Sequence, residues 1–156
     1  MNLNNTFLEL YFNLTKPKEY GGFFLRLIAF LIDFIILMII KYLVAIAFNL
    51  DIEIRNELFH PIYLGAHPAN LIIVWLYFAV LESSTKQATI GKFIMKLKVV
   101  DVNNNKISFG KASIRFFVKI FSGLIFGIGF IMIAFTKHKQ GLHDLAAGTY
   151  VKINYE

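Results

Sequence analysis

The sequence predicts an all-α membrane protein with two long transmembrane helices, a third apolar helical segment and a small cytoplasmic β-hairpin. Of its 156 residues, 57% are hydrophobic and 17% are charged, which is too apolar for an ordinary soluble domain of this length. Two runs are long and apolar enough to cross a bilayer, at about residues 24–48 and 62–82. Further along the chain, β-branched residues beside an Asn-Asn-Asn turn are typical of a hairpin.

Residues 1–20 are predicted to form a cytoplasmic N-terminal arm, and residues 21–153 the membrane domain. The arm is polar with scattered aromatic side chains, and Pro17 ahead of Gly21 and Gly22 interrupts any helix there. Because the arm lacks a basic start and a small-residue cleavage site, we expect no removable signal peptide.

The first helix is predicted at about residues 24–48, with an arginine and an aspartate in its first half. Asp33 follows Arg26 by seven residues, which is about 10.5 Å along a helix and about 20° around it. If Arg26 marks the membrane boundary, the carboxylate lies inside, where an isolated charge costs about 2.5 to 3.5 kcal/mol. Since both side chains lean towards the helix N-terminus, a direct ion pair is not expected, and Asp33 needs a partner from another segment.

The second helix is predicted at about residues 62–82 and returns towards the cytoplasm. This run contains no Asp, Glu, Lys or Arg until Glu82, which then lies at the cytoplasmic end with Arg26. The preceding loop carries His60 and His67, but no ligands at metal-binding spacing accompany them, so no metal site is predicted.

Basic residues are concentrated in one connection. Residues 82–119 contain eight Lys or Arg against two acidic residues, whereas residues 49–60 have a net charge of −2. Since Lys-rich and Arg-rich connections stay in the cytoplasm, we expect a multi-pass protein of the cytoplasmic (inner) membrane with its N-terminus inside. The basic face suits anionic lipid of the bilayer, and nucleic acid is not an expected partner.

A cytoplasmic β-hairpin is predicted at about residues 95–109, where MKLKVVDVNNNKISF alternates partially and turns at three Asn residues. A C-terminal loop and strand are predicted at residues 136–153. The stretch TYVKI at residues 149–153 has strand character and could add a third strand. In that case the C-terminus is cytoplasmic too.

The third apolar segment, at about residues 110–135, has two interpretations. Residues 116–135 are long enough for a third span. However, Arg115 belongs to a series of basic residues that recurs every four positions beside apolar ones, which is typical of an interfacial amphipathic helix. Glycines between residues 123 and 129 then permit a bend. We favour a re-entrant or membrane-surface helical hairpin over a third span.

Three stretches of the sequence resemble the RDD family of small prokaryotic membrane proteins: GGFFLRLIAFLIDFIIL, LESSTKQATIGKFIMKLKVVD and KQGLHDLAAGTYV. That family is named for an arginine and two aspartates, which fall on Arg26, Asp33 and Asp144 of this sequence. The resemblance covers about residues 20–152. It implies a membrane protein suspected of transport, since some members have been proposed to exchange sodium or other monovalent cations for protons.

We expect charged residues from these segments to form one polar cluster near the cytoplasmic interface, with Arg26 at its centre. Its predicted members are Arg26, Asp33, Glu82, Arg115, His143 and Asp144. An arginine can bind two carboxylates through its planar fork. The cluster either stabilises the fold as a buried network, or it contains a carboxylate, Asp33, that alternates between a bound cation and a bound proton.

The favoured function is transport of small ions, with monovalent cation/proton exchange as its specific form. The alternative is a non-catalytic membrane scaffold or accessory subunit in which the cluster is structural. Two or three helices cannot surround a water-lined pathway, so a transporter needs a homo-oligomer or a partner membrane subunit. No enzyme and no cofactor are predicted, because the sequence has no cysteine, nucleophile motif or phosphate loop.

Overall fold

The computed structural model describes residues 19–47, 68–124 and 128–155, which form a mostly helical fold with one small sheet. In chain order the elements are α1 (Phe23–Ala47), α2 (Pro68–Glu82), α3 (Ile90–Ile94), β1 (Leu97–Asp101), α4 (Phe109–Leu124), α5 (Ile128–Phe135), α6 (Leu142–Ala147) and β2 (Thr149–Ile153). Buried polar residues lie where the helices meet.

Helix α1 has 25 residues, nearly all apolar, and begins one residue before its predicted start. Its buried positions recur every four residues, at Ala29, Asp33, Leu37 and Lys41, so one narrow stripe faces the rest of the fold. The other faces are apolar and exposed, with Phe24 75% exposed. Among the described residues, α1 is the one helix long and apolar enough to cross a membrane. Its exposed apolar surface is typical of contact with lipid rather than of a soluble core.

Helix α2 packs on α4 through aromatic side chains. Phe78 stacks on Phe116 with 6.1 Å between the ring centroids, and Trp75 Nε1 donates to Ser113 Oγ at 3.0 Å. The described helix has 15 residues, about 23 Å at 1.5 Å per residue, so it is shorter than the predicted span. Residues 62–67 of that span lie outside the described part of the chain. The second long transmembrane helix therefore stays a prediction.

The two strands of the sheet are far apart in sequence, so the predicted hairpin at residues 95–109 is present only as a turn with one bridge and does not form the sheet. Strand β1 pairs antiparallel with β2, and Val99 lies opposite Val151, with both side chains buried in the core. The chain after the Asn turn contributes a single isolated bridge, between Lys106 and Val100. The C-terminal segment is therefore the second strand of the sheet and not a third.

The turn after β1 explains why no second strand forms locally. Asp101 Oδ1 accepts the backbone N–H groups of Asn103 and Asn105, each at 2.8 Å, which closes the chain tightly. Ser108 then begins the next helix, because its Oγ accepts the Lys111 N–H at 3.3 Å. Too few residues separate the turn from this cap to form a strand.

The predicted segment at residues 110–135 forms two helices, α4 and α5, that fold back on each other. Gly129 of α5 lies so close to α4 that a Cβ atom there would be 2.4 Å from Ser122 Oγ. Helix α5 has 8 residues, about 12 Å, and is too short to cross a bilayer. The chain then returns to α4, where Asp144 pairs with Arg115. This pairing supports the helical hairpin of the two interpretations, because a straight third span would carry Asp144 away from Arg115. The position of α4 and α5 relative to the membrane stays a prediction.

Candidate functional site

Two separate groups of polar residues lie between the helices. We name the larger one the Arg115 cluster and the smaller one the Asp33 site. The Arg115 cluster consists of Arg26, Glu82, Lys92, Arg115, Lys119, His143, Asp144 and Thr149. The Asp33 site consists of Asp33, Tyr77, Thr89 and Gly91.

Arg115 is the centre of its cluster and is fully buried. Its Nε donates to Glu82 Oε2 at 2.9 Å, and one terminal nitrogen donates to Asp144 Oδ1 and to Thr149 Oγ1. The planar guanidinium thus binds two carboxylates at once. In this way α4 is joined to the end of α2, to α6 and to β2.

Contrary to the prediction, Arg26 is not the centre of the cluster. It forms no ion pair with Asp33, as the sequence predicts. Its Nε donates to the Gly21 carbonyl at 2.7 Å, and its terminal nitrogens donate to Asp144 Oδ2 and to the Lys139 carbonyl, each at 2.5 Å. The side chain leans towards the start of α1, as helical side chains do, and therefore away from Asp33. Arg26 fixes the entry to α1 against the loop that follows α5.

Glu82, the last residue of α2, binds three cations. Besides the Arg115 guanidinium, its Oε1 accepts from Lys92 Nζ at 2.5 Å and from Lys119 Nζ at 3.1 Å. The Lys119 ammonium also lies 5.1 Å from the centroid of the Phe78 ring. The end of α2 is therefore held by both α3 and α4.

The Arg115 cluster has more cations than carboxylates. Its four Lys and Arg side chains face Glu82 and Asp144, a formal excess of two positive charges. Burial lowers the pKa of Lys92 to about 7, against the opposing attraction of Glu82. Loss of the Lys92 proton would reduce the excess by one charge.

His143 and Asp144 open helix α6, but only the aspartate is charged. Burial by itself would raise the pKa of Asp144, but Arg115 and Arg26 outweigh it and hold this pKa well below its ordinary value. Burial lowers the pKa of His143 well below its ordinary value, so the ring is neutral. Its Nε2 lies 3.6 Å from Asp144 Oδ1. The predicted His143 is a neutral neighbour of the cluster.

Asp33 lies in the middle of α1 and is 1% exposed. Its carboxylate accepts three hydrogen bonds, from Tyr77 Oη at 2.8 Å, Thr89 Oγ1 at 2.6 Å and the Gly91 backbone N–H at 2.7 Å. The partners do come from other segments, as the sequence predicts, but all three are neutral. Within residues 19–47, 68–124 and 128–155, Asp33 takes part in no ion pair.

The close approach of α3 to α1 at this site requires a glycine. A Cβ atom at Gly91 would lie 2.0 Å from the Ala29 carbonyl oxygen and 2.9 Å from Asp33 Cγ. Thr89 has two roles here, because its Oγ1 accepts the Lys92 N–H at 3.3 Å at the start of α3 and donates to Asp33. One short helix therefore contacts both the Asp33 site and the Arg115 cluster.

The sequence analysis missed several members of both groups: Tyr77, Thr89, Gly91, Lys92, Lys119 and Thr149. Lys119 had a signal, because it falls four residues after Arg115 on the same face of a helix. The donors to Asp33 had no such signal in the sequence. Tyr77, for example, is not distinctive, because Tyr is common near the ends of membrane helices without a carboxylate partner.

Among the described residues, no group of three or more His, Cys, Asp or Glu side chains is arranged to hold a metal ion. The loop histidines considered in the sequence, His60 and His67, lie outside the described part of the chain. The chemistry of both groups is that of hydrogen bonds and ion pairs.

Comparison with known proteins finds relatives along most of the chain. The family model described as the RDD family matches residues 20–148. The uncharacterized protein YxaI of Bacillus subtilis (strain 168) is 38% identical over 148 residues, covering 86% of this chain and 97% of the relative. The uncharacterized membrane protein YteJ of the same organism is 34% identical over 136 residues, covering 85% of this chain and 80% of the relative. No solved structure matches the chain.

Proposed function

Because the chain belongs to the RDD family, we propose that it is a multi-pass protein of the cytoplasmic membrane that carries small ions, with Asp33 as the ion-binding carboxylate. Two observations support the membrane location: the exposed apolar surface of α1, and the relative YteJ, which is named a membrane protein. The proposed cargo is a proton or a monovalent cation, and the specific reaction is their exchange.

The proposed topology places the Arg115 cluster at the cytoplasmic interface. Arg26 near the start of α1 and Glu82 at the end of α2 both belong to this cluster, so the two helix ends lie on one side. With residues 62–82 as the second crossing, the basic residues between Glu82 and Lys119 are cytoplasmic, in agreement with the preference of Lys and Arg for that side.

The neutral surroundings of Asp33 are the observation that carries the proposal. A carboxylate that is 1% exposed and has no cationic partner among the described residues leaves a negative charge uncompensated in a medium of low dielectric constant. Binding a proton or a monovalent cation removes that cost. The hydroxyl oxygens of Tyr77 and Thr89 still have lone pairs, so they are suited to share a bound cation with Asp33.

The Arg115 cluster has the opposite character. Its two carboxylates are already paired with arginine and lysine side chains, and they join α1, α2, α3, α4 and α6. In the proposal this cluster is the rigid support of the carrier, and Asp33 is the group that exchanges its ion. One chain has too few helices to enclose a pathway in the bilayer, so the carrier is a homo-oligomer or acts with a partner subunit.

A second candidate is a membrane scaffold or accessory subunit, and the packing at Gly91 favours it. The three donors already satisfy much of the hydrogen-bonding capacity of Asp33, and the contact of Gly91 with Ala29 leaves no space for a side chain. In this candidate, Asp33 only anchors α3 to α1. Neither candidate includes an enzymatic reaction or a cofactor.

Proton flux in proteoliposomes distinguishes the two candidates. The test measures internal pH while Na⁺, K⁺ or Li⁺ is added outside, for the unmodified protein, Asp33→Asn and the control Glu19→Gln. Glu19 is an exposed carboxylate paired with Lys152, so the control makes the same chemical change outside the site.

The carrier proposal expects cation-dependent flux that Asp33→Asn abolishes and Glu19→Gln retains. Unchanged flux in Asp33→Asn rejects Asp33 as the carrier. Absence of flux in the inserted unmodified protein, for all three cations, favours the scaffold.

A further inference from the structure

A groove of about 390 Å³ lies at the start of α1, and no part of the proposed ion site borders it. One side is apolar and aromatic, formed by Tyr20, Phe23 and Phe24. The other side carries two lysines from the loop after α5, Lys137 and Lys139. An apolar wall facing a basic rim matches a molecule with an acyl chain and an anionic head.

The lysines of this groove are not neutralised by carboxylates. Lys137 is exposed and has no hydrogen bond or ion pair with another described residue, and Lys139 Nζ donates to the Ala134 carbonyl at 2.8 Å. Glu19 also lines the groove, and its carboxylate is bound to Lys152 at 2.5 Å. Lys137 and Lys139 against Glu19 give the lining a formal charge of +1, and Lys152, which pairs with Glu19 from outside the groove, adds one more positive charge. The groove therefore attracts an anion.

The position of Lys139 is fixed by the buried part of the fold. Its φ of 52° lies in the left-handed region, which is costly for a residue other than glycine. Arg26 donates to the Lys139 carbonyl at 2.5 Å, and the Lys139 N–H donates to the Thr136 carbonyl at 3.1 Å. These bonds hold the loop in its strained conformation beside α1. The backbone of the rim at Lys139 is thus fixed by contacts with α1 and with Thr136.

The groove is continuous with the surface that meets lipid. Phe24 lines it, and Leu27, Ile28 and Leu31 continue as exposed apolar side chains along α1. The N-terminal turn of α1 has no acidic residue and presents the positive end of its helix dipole to the same space. We propose that the groove binds an anionic phospholipid, with its phosphate between Lys137 and Lys139 and an acyl chain along Phe24 and Leu27.

Native mass spectrometry of the full-length protein in mild detergent tests this site. The probes are phosphatidylglycerol and phosphatidylcholine with identical acyl chains. We expect one site with about tenfold preference for phosphatidylglycerol, lost in Lys137→Ala/Lys139→Ala and retained in Lys137→Arg/Lys139→Arg. The control Lys106→Ala/Lys111→Ala removes the same charge away from the groove and should keep the preference. If the control loses the preference for phosphatidylglycerol equally, then only the net charge of the protein matters, and the proposed lipid site is overturned.

Two further experiments distinguish a bound lipid from other occupants of the groove. Glycerol 3-phosphate carries the same phosphate without acyl chains, so it should not displace the lipid at equal concentration. Displacement would assign the groove to a soluble phosphate ester and overturn the lipid proposal. A variant lacking residues 2–18 should keep the preference of the unmodified protein. If only this shortened variant shows the preference, the N-terminal segment occupies the groove, and the proposal is again overturned.

Discussion

Arg26 and Asp33 lie two turns apart along α1 and are both buried, yet they bind different parts of the fold. Arg26 is paired with Asp144 at 2.5 Å, whereas Asp33 accepts from Tyr77, Thr89 and Gly91. The first half of α1 is therefore held by an ion pair with the C-terminal part of the chain and by neutral donors from α2 and from the start of α3. In the proposed function, Arg26 therefore has a structural role and Asp33 is the ion-binding carboxylate.

The first prediction concerns the stability that Arg115 supplies. Arg115→Met leaves Glu82 and Asp144 buried with fewer cations, so we expect the free energy of unfolding to fall by about 3–5 kcal/mol. Arg115→Lys should lose less stability than Arg115→Met but should remain less stable than the unmodified protein, because an ammonium keeps the charge but not the planar fork. Thermal unfolding in detergent measures both. The control is Lys111→Met on the same helix, a residue without an ion pair to another described side chain. Equal losses in the control and in Arg115→Met would contradict this role.

The second prediction concerns the contact between α3 and α1. Gly91→Ala places a methyl group 2.0 Å from the Ala29 carbonyl oxygen, so the helices must move apart, at a cost of about 1–3 kcal/mol or more. The same change at Gly123 meets nothing within 4 Å and should be neutral or stabilising by up to about 1 kcal/mol. Urea unfolding curves of the two variants make the comparison. A Gly91→Ala protein as stable as Gly123→Ala would show that α3 does not lie against α1 as described.

Four charged members of the Arg115 cluster were predictable from the sequence, whereas Lys92, Lys119 and the neutral partners of Asp33 were not predicted. A buried charge must find an opposite charge or a set of hydrogen bonds, so Arg26, Glu82, Arg115 and Asp144 could be grouped from their positions near the ends of apolar segments. Tyr77 carries no such requirement in an apolar helix. The centre of the cluster also could not be read from the sequence, because it depends on which way each side chain leans once the helices pack.

The fold shows the same limit. Hydrophobic runs gave the positions of α1 and α4, since periodicity is a local property of the chain. The partner of β1 is about fifty residues away, so the local sequence around β1 could not indicate it. Strand pairing of this kind is decided by tertiary packing, here by burial of Val99 against Val151.

The third prediction concerns the Asn turn. Asn104 has a φ of 64°, in the left-handed region, whereas Asn103 does not have a positive φ. Asn104→Val should therefore lower the free energy of unfolding by about 1–2 kcal/mol, and Asn104→Gly should not lower it. Asn103→Val is the matched control and should have a smaller effect. If the two valine variants lose the same stability, the conformation of the turn does not limit the choice of residue.

The fourth prediction concerns the pH dependence that Lys92 gives to stability. Burial lowers its pKa from 10.5 to about 7 in the folded protein, despite the attraction of Glu82 and with the repulsion of Lys119 and Arg115. Between these two values the unfolded chain binds more protons at this side chain than the folded chain. The free energy of unfolding should therefore rise with pH from about 7 to about 10.5, and this part of the rise should be missing in Lys92→Met.

Comparing the two proteins at matched pH values cancels the titration of all other groups that the variant leaves unchanged. The control Lys96→Met should follow the unmodified protein across the range. Parallel curves for Lys92→Met and the unmodified protein would mean that Lys92 stays charged beside Glu82, with the charge excess of the Arg115 cluster balanced in another way.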